Sequence, residues 1–148
     1  GITEVTDVRG RKLVVINAMG RIFMDPLDDP FAAVTLALSR HGLGRTAIFI
    51  MVDFHGEATS EKMAMGHFLD GKVSFVVGTH SHSVIGMEKA EPIQRFTRKV
   101  ARGRFSPAAG DATICGVLVE SDDKTGLAKS VQPLRAGGRL SPQWPELA

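Results

Sequence analysis

The chain has 148 residues, with 43% hydrophobic and 23% charged content, which suits one globular domain with a core. Its formal net charge of +2 is too small to argue for nucleic acid as an electrostatic partner, so no specific duplex binding is expected. No apolar run approaches the length that spans a bilayer, and Gly1-Ile2-Thr3-Glu4 lacks the basic-then-apolar pattern of a signal peptide, so no membrane partner is expected. The opening also has no initiator Met and runs almost at once into strand-like sequence, as in a chain entered part-way along.

Thr3 to Val8, the turn Arg9-Gly10, and Lys12 to Ala18 read as a β-hairpin. Leu13-Val14-Val15-Ile16 is continuously apolar, which predicts a strand buried on both faces. Met19 to Asp29 is loop. Asp29 then caps a helix with Pro30 at its first position, Phe31, Val34, Leu38 and His41 at helical spacing, and Gly42 as its stop. Ala47 to Val52 is the clearest buried strand, ending in Asp53-Phe54-His55-Gly56-Glu57. Thr59 or Ser60 caps a second helix that runs through Leu69 and closes at Asp70-Gly71. Val73 to Val77 is a third buried strand, ending in Gly78-Thr79-His80-Ser81-His82. A third helix spans Pro92 to Val100, with Ile93, Phe96 and Val100 along one face. Ala112 to Glu120 and Leu127 to Leu134 form a hairpin around Asp122-Asp123-Lys124-Thr125-Gly126. The Gly/Pro-rich tail, 136–148, is expected to be loosely held after a domain covering 1–135. Strands alternating with helices, flanked by hairpins, predict an α/β fold: a mixed sheet packed by helices.

Two features carry little chemistry. Arg95, Arg98, Lys99, Arg102 and Arg104 read as the solvated face and exit of a helix, the sharper alternative being a patch that attracts a phosphorylated substrate. The single cysteine, Cys115, cannot form an internal disulfide and predicts a reducing, cytoplasmic setting. Its apolar neighbours predict a small core residue rather than a nucleophile.

The chemistry gathers where two consecutive buried strands end. In α/β sheets, ligands bind outside the carboxyl ends of the strands. Extended residues i and i+2 face the same way, so His80 and His82 can face one site with Ser81 turned away. If the two strands are neighbours, His55 lies about 5 Å from that pair. Three converging imidazoles are what a transition-metal site needs. His41 and His67 sit on helices among apolar neighbours and read as structural. Asp53 lies one pleat below His55 and reads as a ligand or as a group orienting a histidine. Glu57 reads as closing the loop or favouring the next helix N-terminus. Asn17 reads as a buried amide satisfying loop backbone.

These residues carry a resemblance. Val15-Ile16-Asn17-Ala18-Met19-Gly20-Arg21, Asp28-Asp29-Pro30-Phe31, Val52-Asp53-Phe54-His55-Gly56-Glu57-Ala58-Thr59-Ser60-Glu61-Lys62, Leu69-Asp70-Gly71-Lys72-Val73, Val77-Gly78-Thr79-His80-Ser81-His82, Ser83-Val84-Ile85-Gly86-Met87 and Gly116-Val117-Leu118-Val119-Glu120 resemble the YmdB-like bacterial metallophosphoesterases up to about Leu134. The resemblance implies the C-terminal half of a four-layer α/β/β/α, calcineurin-like sandwich. It also implies a two-metal hydrolase, with iron or manganese favoured and zinc as an alternative, acting on small phosphodiesters such as 2′,3′-cyclic nucleotides. A homo-oligomer is expected. Carried over by motif, His55 and His80 share one ion and His82 holds its neighbour; Asp53 and Glu57, by their positions, read as groups behind these ligands.

Two departures from the family pattern follow. The Gly-Asp, Asn-Gly-Glu-Asn and Gly-Asn-His motifs of the family's N-terminal half do not occur here, so the catalytic general acid is not assigned to this chain. The long family loop between His-x-His and Ser-Val-Ile-Gly-Met is also missing, since Ser83 follows His82 directly. The expected function is therefore a metal-dependent phosphodiesterase of which this chain carries the histidine half. The alternatives are an inactive fragment that binds a metal or a partner, and a purely structural fragment with empty histidines.

Overall fold

Burial alternates along the central strands, and this alternation decides where the site lies. The computed structural model describes residues 1–81, 86–100 and 103–146, apart from the side chain of Phe96. The expectations placed on His82, Arg102 and the Phe96 side chain fall outside these residues. The chain forms two compact units: Gly1–Ser81 with Val119–Val131, and His82–Leu118 with Gln132–Ala148.

In the first unit, β1 (Ile2–Thr6), β2 (Lys12–Met19), β3 (Phe49–Gly56) and β4 (Phe75–His80) form one sheet in the order β1-β2-β3-β4. β1 runs antiparallel to β2, while β2, β3 and β4 are parallel. The crossovers are α1 (Pro30–Arg40) and α2 (Thr59–Phe68). This is the expected α/β arrangement with a mixed sheet.

Both helices pack on one face of the sheet. Val34 and Ala37 of α1 and Met65 of α2 join Val14, Ile16, Ile50, Val52 and Phe54 in the core. Phe31 meets the Phe68 ring edge-on at 5.3 Å. Burying an aromatic ring such as Phe54, which is fully enclosed, is among the larger single contributions to such a core. β2 is therefore not buried on both faces as predicted: Val14 and Ile16 point into the core, but Val15 remains 36% exposed. The cause is that helices cover only one side. β4 begins two residues later than predicted and runs on to His80 as an edge strand of intermediate burial.

The ends of the helices follow from local chemistry. Asp29 Oδ1 accepts from the N–H groups of Phe31 and Ala32, and Pro30 occupies the first turn, as its missing N–H permits. α2 starts at Thr59, but no side chain caps it; Ala58 holds the cap position. The Val119–Val131 segment closes the core at the far end. Ser74 Oγ donates to the Gly126 carbonyl while accepting from Ile50 N–H, and Arg11 pairs with Asp123 at 3.0 Å.

In the second unit, α3 (Ala90–Arg98) begins two residues before the predicted start and ends in a left-handed Lys99. Ile93 and Val100, predicted to lie along one face of the helix, are both exposed. Arg95 is engaged structurally: it pairs with Glu91 at 2.8 Å, donates to the Gly103 carbonyl, and stacks over the Phe105 ring. β5 (Ile114–Ser121) and β6 (Ala128–Ala136) form a two-stranded sheet. Cys115 is exposed on it, contrary to the core expectation, because the first half of β5 is open to solvent. The tail is tied down rather than loose: Arg135 and Gln143 exchange backbone hydrogen bonds, and Gln132 brackets Glu146. No helix among the described residues is long and apolar enough to cross a membrane.

Candidate functional site

The parallel register sets the site. Asn17 lies opposite Asp53, and Met19 lies opposite His55, which lies opposite Thr79. Period-two alternation then places Asn17, Asp53, His55 and Thr79 on the sheet face away from α1 and α2. The core residues Ile16, Val52 and Phe54 occupy the other face. The polar group thus stands at the carboxyl end of three parallel strands, half-exposed.

His55 and His80 come together here, with ring centroids 4.6 Å apart and planes at 67°. The ladder alone would not bring them together. His80 pairs with Gly56, so a straight strand would turn its ring to the face opposite His55. His80 instead has φ of +90°, a left-handed conformation rarely adopted by a residue with a side chain. That kink swings the imidazole back toward His55. It costs about 1–3 kcal/mol, which neighbouring contacts must offset. Two sets of contacts supply them. Glu57 Oε2 lies 3.0 Å from His80 Nε2. Ser81 Oγ donates to the Glu57 carbonyl at 2.8 Å and accepts from Lys62 Nζ at 2.8 Å. The Lys62 methylenes lie over Gly78, where a Cβ would come within 2.7 Å of Lys62 Cδ. Glycine at 78 is therefore the clearance that lets Lys62 reach Ser81.

Behind His55 runs a chain of hydrogen bonds. Asn17 Nδ2 donates to Asp53 Oδ2 at 3.0 Å, Thr79 Oγ1 donates to Asp53 Oδ1 at 2.7 Å, and His55 Nδ1 lies 3.2 Å from Thr79 Oγ1. Asn17 is exposed and bonds to a side chain, contrary to the expectation of a buried amide serving loop backbone. A second polar anchor lies in the first turn of α2. Glu61, 7% exposed, accepts from Arg21 N–H at 2.9 Å and Ile22 N–H at 3.3 Å, and Gly20 N–H donates to the His55 carbonyl. The loop leaving β2 is thereby fixed against the end of β3.

Sequence reasoning did not pick out Thr79, Lys62, Ser81 or Glu61. Their partners are set by strand register and by a kink, and neither has a local sequence signal. His41 caps the C-terminus of α1 with Nδ1 3.5 Å from Glu4, and His67 is exposed on the last turn of α2. Neither joins the site group. Among the described residues, no three His, Cys, Asp or Glu side chains converge closely enough to hold an ion.

The sequence model of the YmdB-like protein family matches residues 1–83 and 81–134. The chain belongs to the YmdB-like family. The two matched stretches of this YmdB-like chain overlap at residues 81–83. A Bacillus subtilis (strain 168) relative, named 2′,3′-cyclic-nucleotide 2′-phosphodiesterase, is 35% identical over 158 residues, covering 89% of this chain and 58% of the relative. That aligned span is longer than the chain itself, so the relative carries residues within it that this chain lacks. A crystal structure of a hypothetical protein from Thermus thermophilus superposes with a TM-score of 0.74 at 31% identity, covering 94% of this chain and 62% of that one. The crystal structure of a novel phosphatase from Mycoplasma pneumoniae gives a TM-score of 0.77 at 24% identity, over 93% of this chain and 57% of the other, a likeness of fold. The YmdB-like chain thus spans less than two thirds of each of these proteins.

Proposed function

We propose that this chain supplies the imidazole side of a metal-dependent phosphodiesterase site acting on small phosphodiesters, 2′,3′-cyclic nucleotides foremost. The observation that carries this reading is the His55–His80 pair, edge to face at the carboxyl end of parallel strands in a YmdB-like chain. The B. subtilis relative's name supports the substrate class.

The donor chemistry fits a transition-metal ion, iron or manganese in the first instance and zinc as an alternative. Two imidazoles face each other on a half-exposed surface with carboxylates close behind them. His55 and His80 would hold one ion, and His82, two residues beyond His80, would serve its neighbour. The missing oxygen ligands would come from the part of the protein that its longer relatives possess. When bound, such an ion pair supplies charge neutralisation at phosphate oxygens and lowers the pKa of a bound water.

The chain's own residues have the task of presenting lone pairs. A carboxylate only accepts hydrogen bonds, so Glu57 beside Nε2 keeps a proton on that nitrogen and leaves His80 Nδ1 free to ligate. The Lys62–Ser81 contact holds the kinked backbone on which this ring is aimed.

Calorimetric titration of Mn²⁺ tests the assignment. His55→Ala and His80→Ala should each weaken binding by more than the about 10–100-fold typical of losing a group behind a ligand. His67→Ala should leave it unchanged. If His67→Ala weakens binding as much as His80→Ala, the chain is a structural fragment instead. Hydrolysis of a 2′,3′-cyclic nucleotide by the longer protein, abolished by His80→Ala, tests the substrate class.

A further inference from the structure

We infer that Thr79, oriented by Asp53 and Asn17, is a positioning residue that fixes the tautomer of His55 with its proton on Nδ1, so that Nε2 carries the lone pair toward the site. This rests on the reading of His55 as a ligand and goes beyond it, by naming which nitrogen ligates and what enforces the choice.

The argument is one of proton counting along the hydrogen-bond chain. The Asp53 carboxylate is an acceptor only. It takes one bond from the Asn17 amide at Oδ2 and one from the Thr79 hydroxyl at Oδ1. A hydroxyl has a single proton, and Thr79 gives it to Asp53 at 2.7 Å, the shorter of its two contacts. Toward His55 it can only accept. The 3.2 Å contact at Nδ1 is therefore made by an Nδ1–H donor. A neutral imidazole carries one N–H, so Nε2 is left with its lone pair free.

The geometry is held in place. Thr79 is β-branched and stiff about χ1, it lies opposite His55 in the ladder, and Asp53 lies two residues back on the same face of β3. Asp53→Leu, of similar shape, removes the acceptor, so the Thr79 hydroxyl is free either to donate to His55 Nδ1 or to accept from it, and the tautomer preference should be lost.

The test is long-range ¹H–¹⁵N correlation NMR on ¹⁵N-histidine-labelled, metal-free protein, at a pH where the His55 ring is neutral. Wild-type His55 should show a protonated Nδ1 and an unprotonated Nε2. Thr79→Val, which keeps the shape and removes the acceptor, should lose that preference, and Thr79→Ser should restore it. Asp53→Leu should lose the preference as Thr79→Val does. In parallel Zn²⁺ calorimetry, Thr79→Val and Asp53→Leu should each weaken binding about 10–100-fold, with Thr79→Ser close to wild type. A wild-type ring protonated on Nε2, or an Asp53→Leu ring identical to wild type, overturns the inference. Tautomers as expected, together with metal binding indifferent to His55→Ala, would instead overturn the ligand reading on which it rests.

Discussion

Glu61 offers the sharpest stability test, because its role can be counted in hydrogen bonds. Its carboxylate is buried in the first turn of α2 and accepts from the Arg21 and Ile22 backbone N–H groups at 2.9 and 3.3 Å. A hydrogen bond to a charged group contributes about 1.5–3 kcal/mol, and the helix N-terminus adds a few tenths for a negative charge. The longer of the two bonds belongs at the low end of that range. Glu61→Ala strands both donors and should cost about 3–4 kcal/mol. Glu61→Gln keeps one carbonyl oxygen for Arg21 but turns an NH₂ toward the Ile22 N–H, donor against donor, and should cost about 1–2 kcal/mol. The assay is urea unfolding, with the midpoint falling at unchanged slope. Gly20→Ala adds an internal control. A Cβ there would collide with Glu61 Oε2 and come within 3.2 Å of Phe54 Cζ. Its cost should therefore shrink in a Glu61→Ala background, a coupling expected only of residues in contact. If Glu61→Gln lies within about 0.5 kcal/mol of wild type, as ordinary surface changes do, the account of this anchor is wrong.

Two further outcomes follow from the geometry. His80→Gly should be more stable than His80→Ala by about 1 kcal/mol, since both lose the ring but only glycine relaxes the positive φ; equal unfolding midpoints would refute the strain. In the β5–β6 turn, the Thr125 N–H first, then Lys129 and the Lys124 N–H, hold the Asp122 carboxyl well below its ordinary value of 3.8. A depressed folded pKa contributes stability above the unfolded value that is lost as pH falls toward the folded one. The stability gap between wild type and Asp122→Asn should therefore be full near neutral pH and shrink as pH drops below about 4, checked by urea unfolding across that range; a gap that stays constant on acidification counts against the turn's role.

Much of this was legible in the residues themselves. The Asp29-Pro30 start of α1 could be read because a cap is local: donor, acceptor and sequence spacing lie within one turn. The nearness of His55 and His80 was also anticipated, but the extended-chain argument behind it does not describe how it arises. Alternation in a straight β4 would have separated the rings, and the left-handed turn at His80 reunites them. The relay through Thr79 was not legible, because it depends on register between strands 24 residues apart, which no single segment encodes. Cys115 was misplaced for a related reason. An apolar run signals a strand, but whether its face is covered is decided by elements far away in sequence.

The kink at His80 also bears on how this position can drift. Under the proposed role as a metal ligand, the position needs an imidazole on a backbone that most side chains resist, so two independent demands fall on one codon. Asparagine and aspartate tolerate left-handed backbone but offer a different donor; alanine and glutamine carry the strain without the ring, and β-branched residues strain most. Lineages that retain the chemistry should keep histidine here even where the surrounding strand diverges. Where that proposed role is abandoned, the first replacement to spread should be glycine, since the chain gains stability by shedding the side chain that strains its backbone.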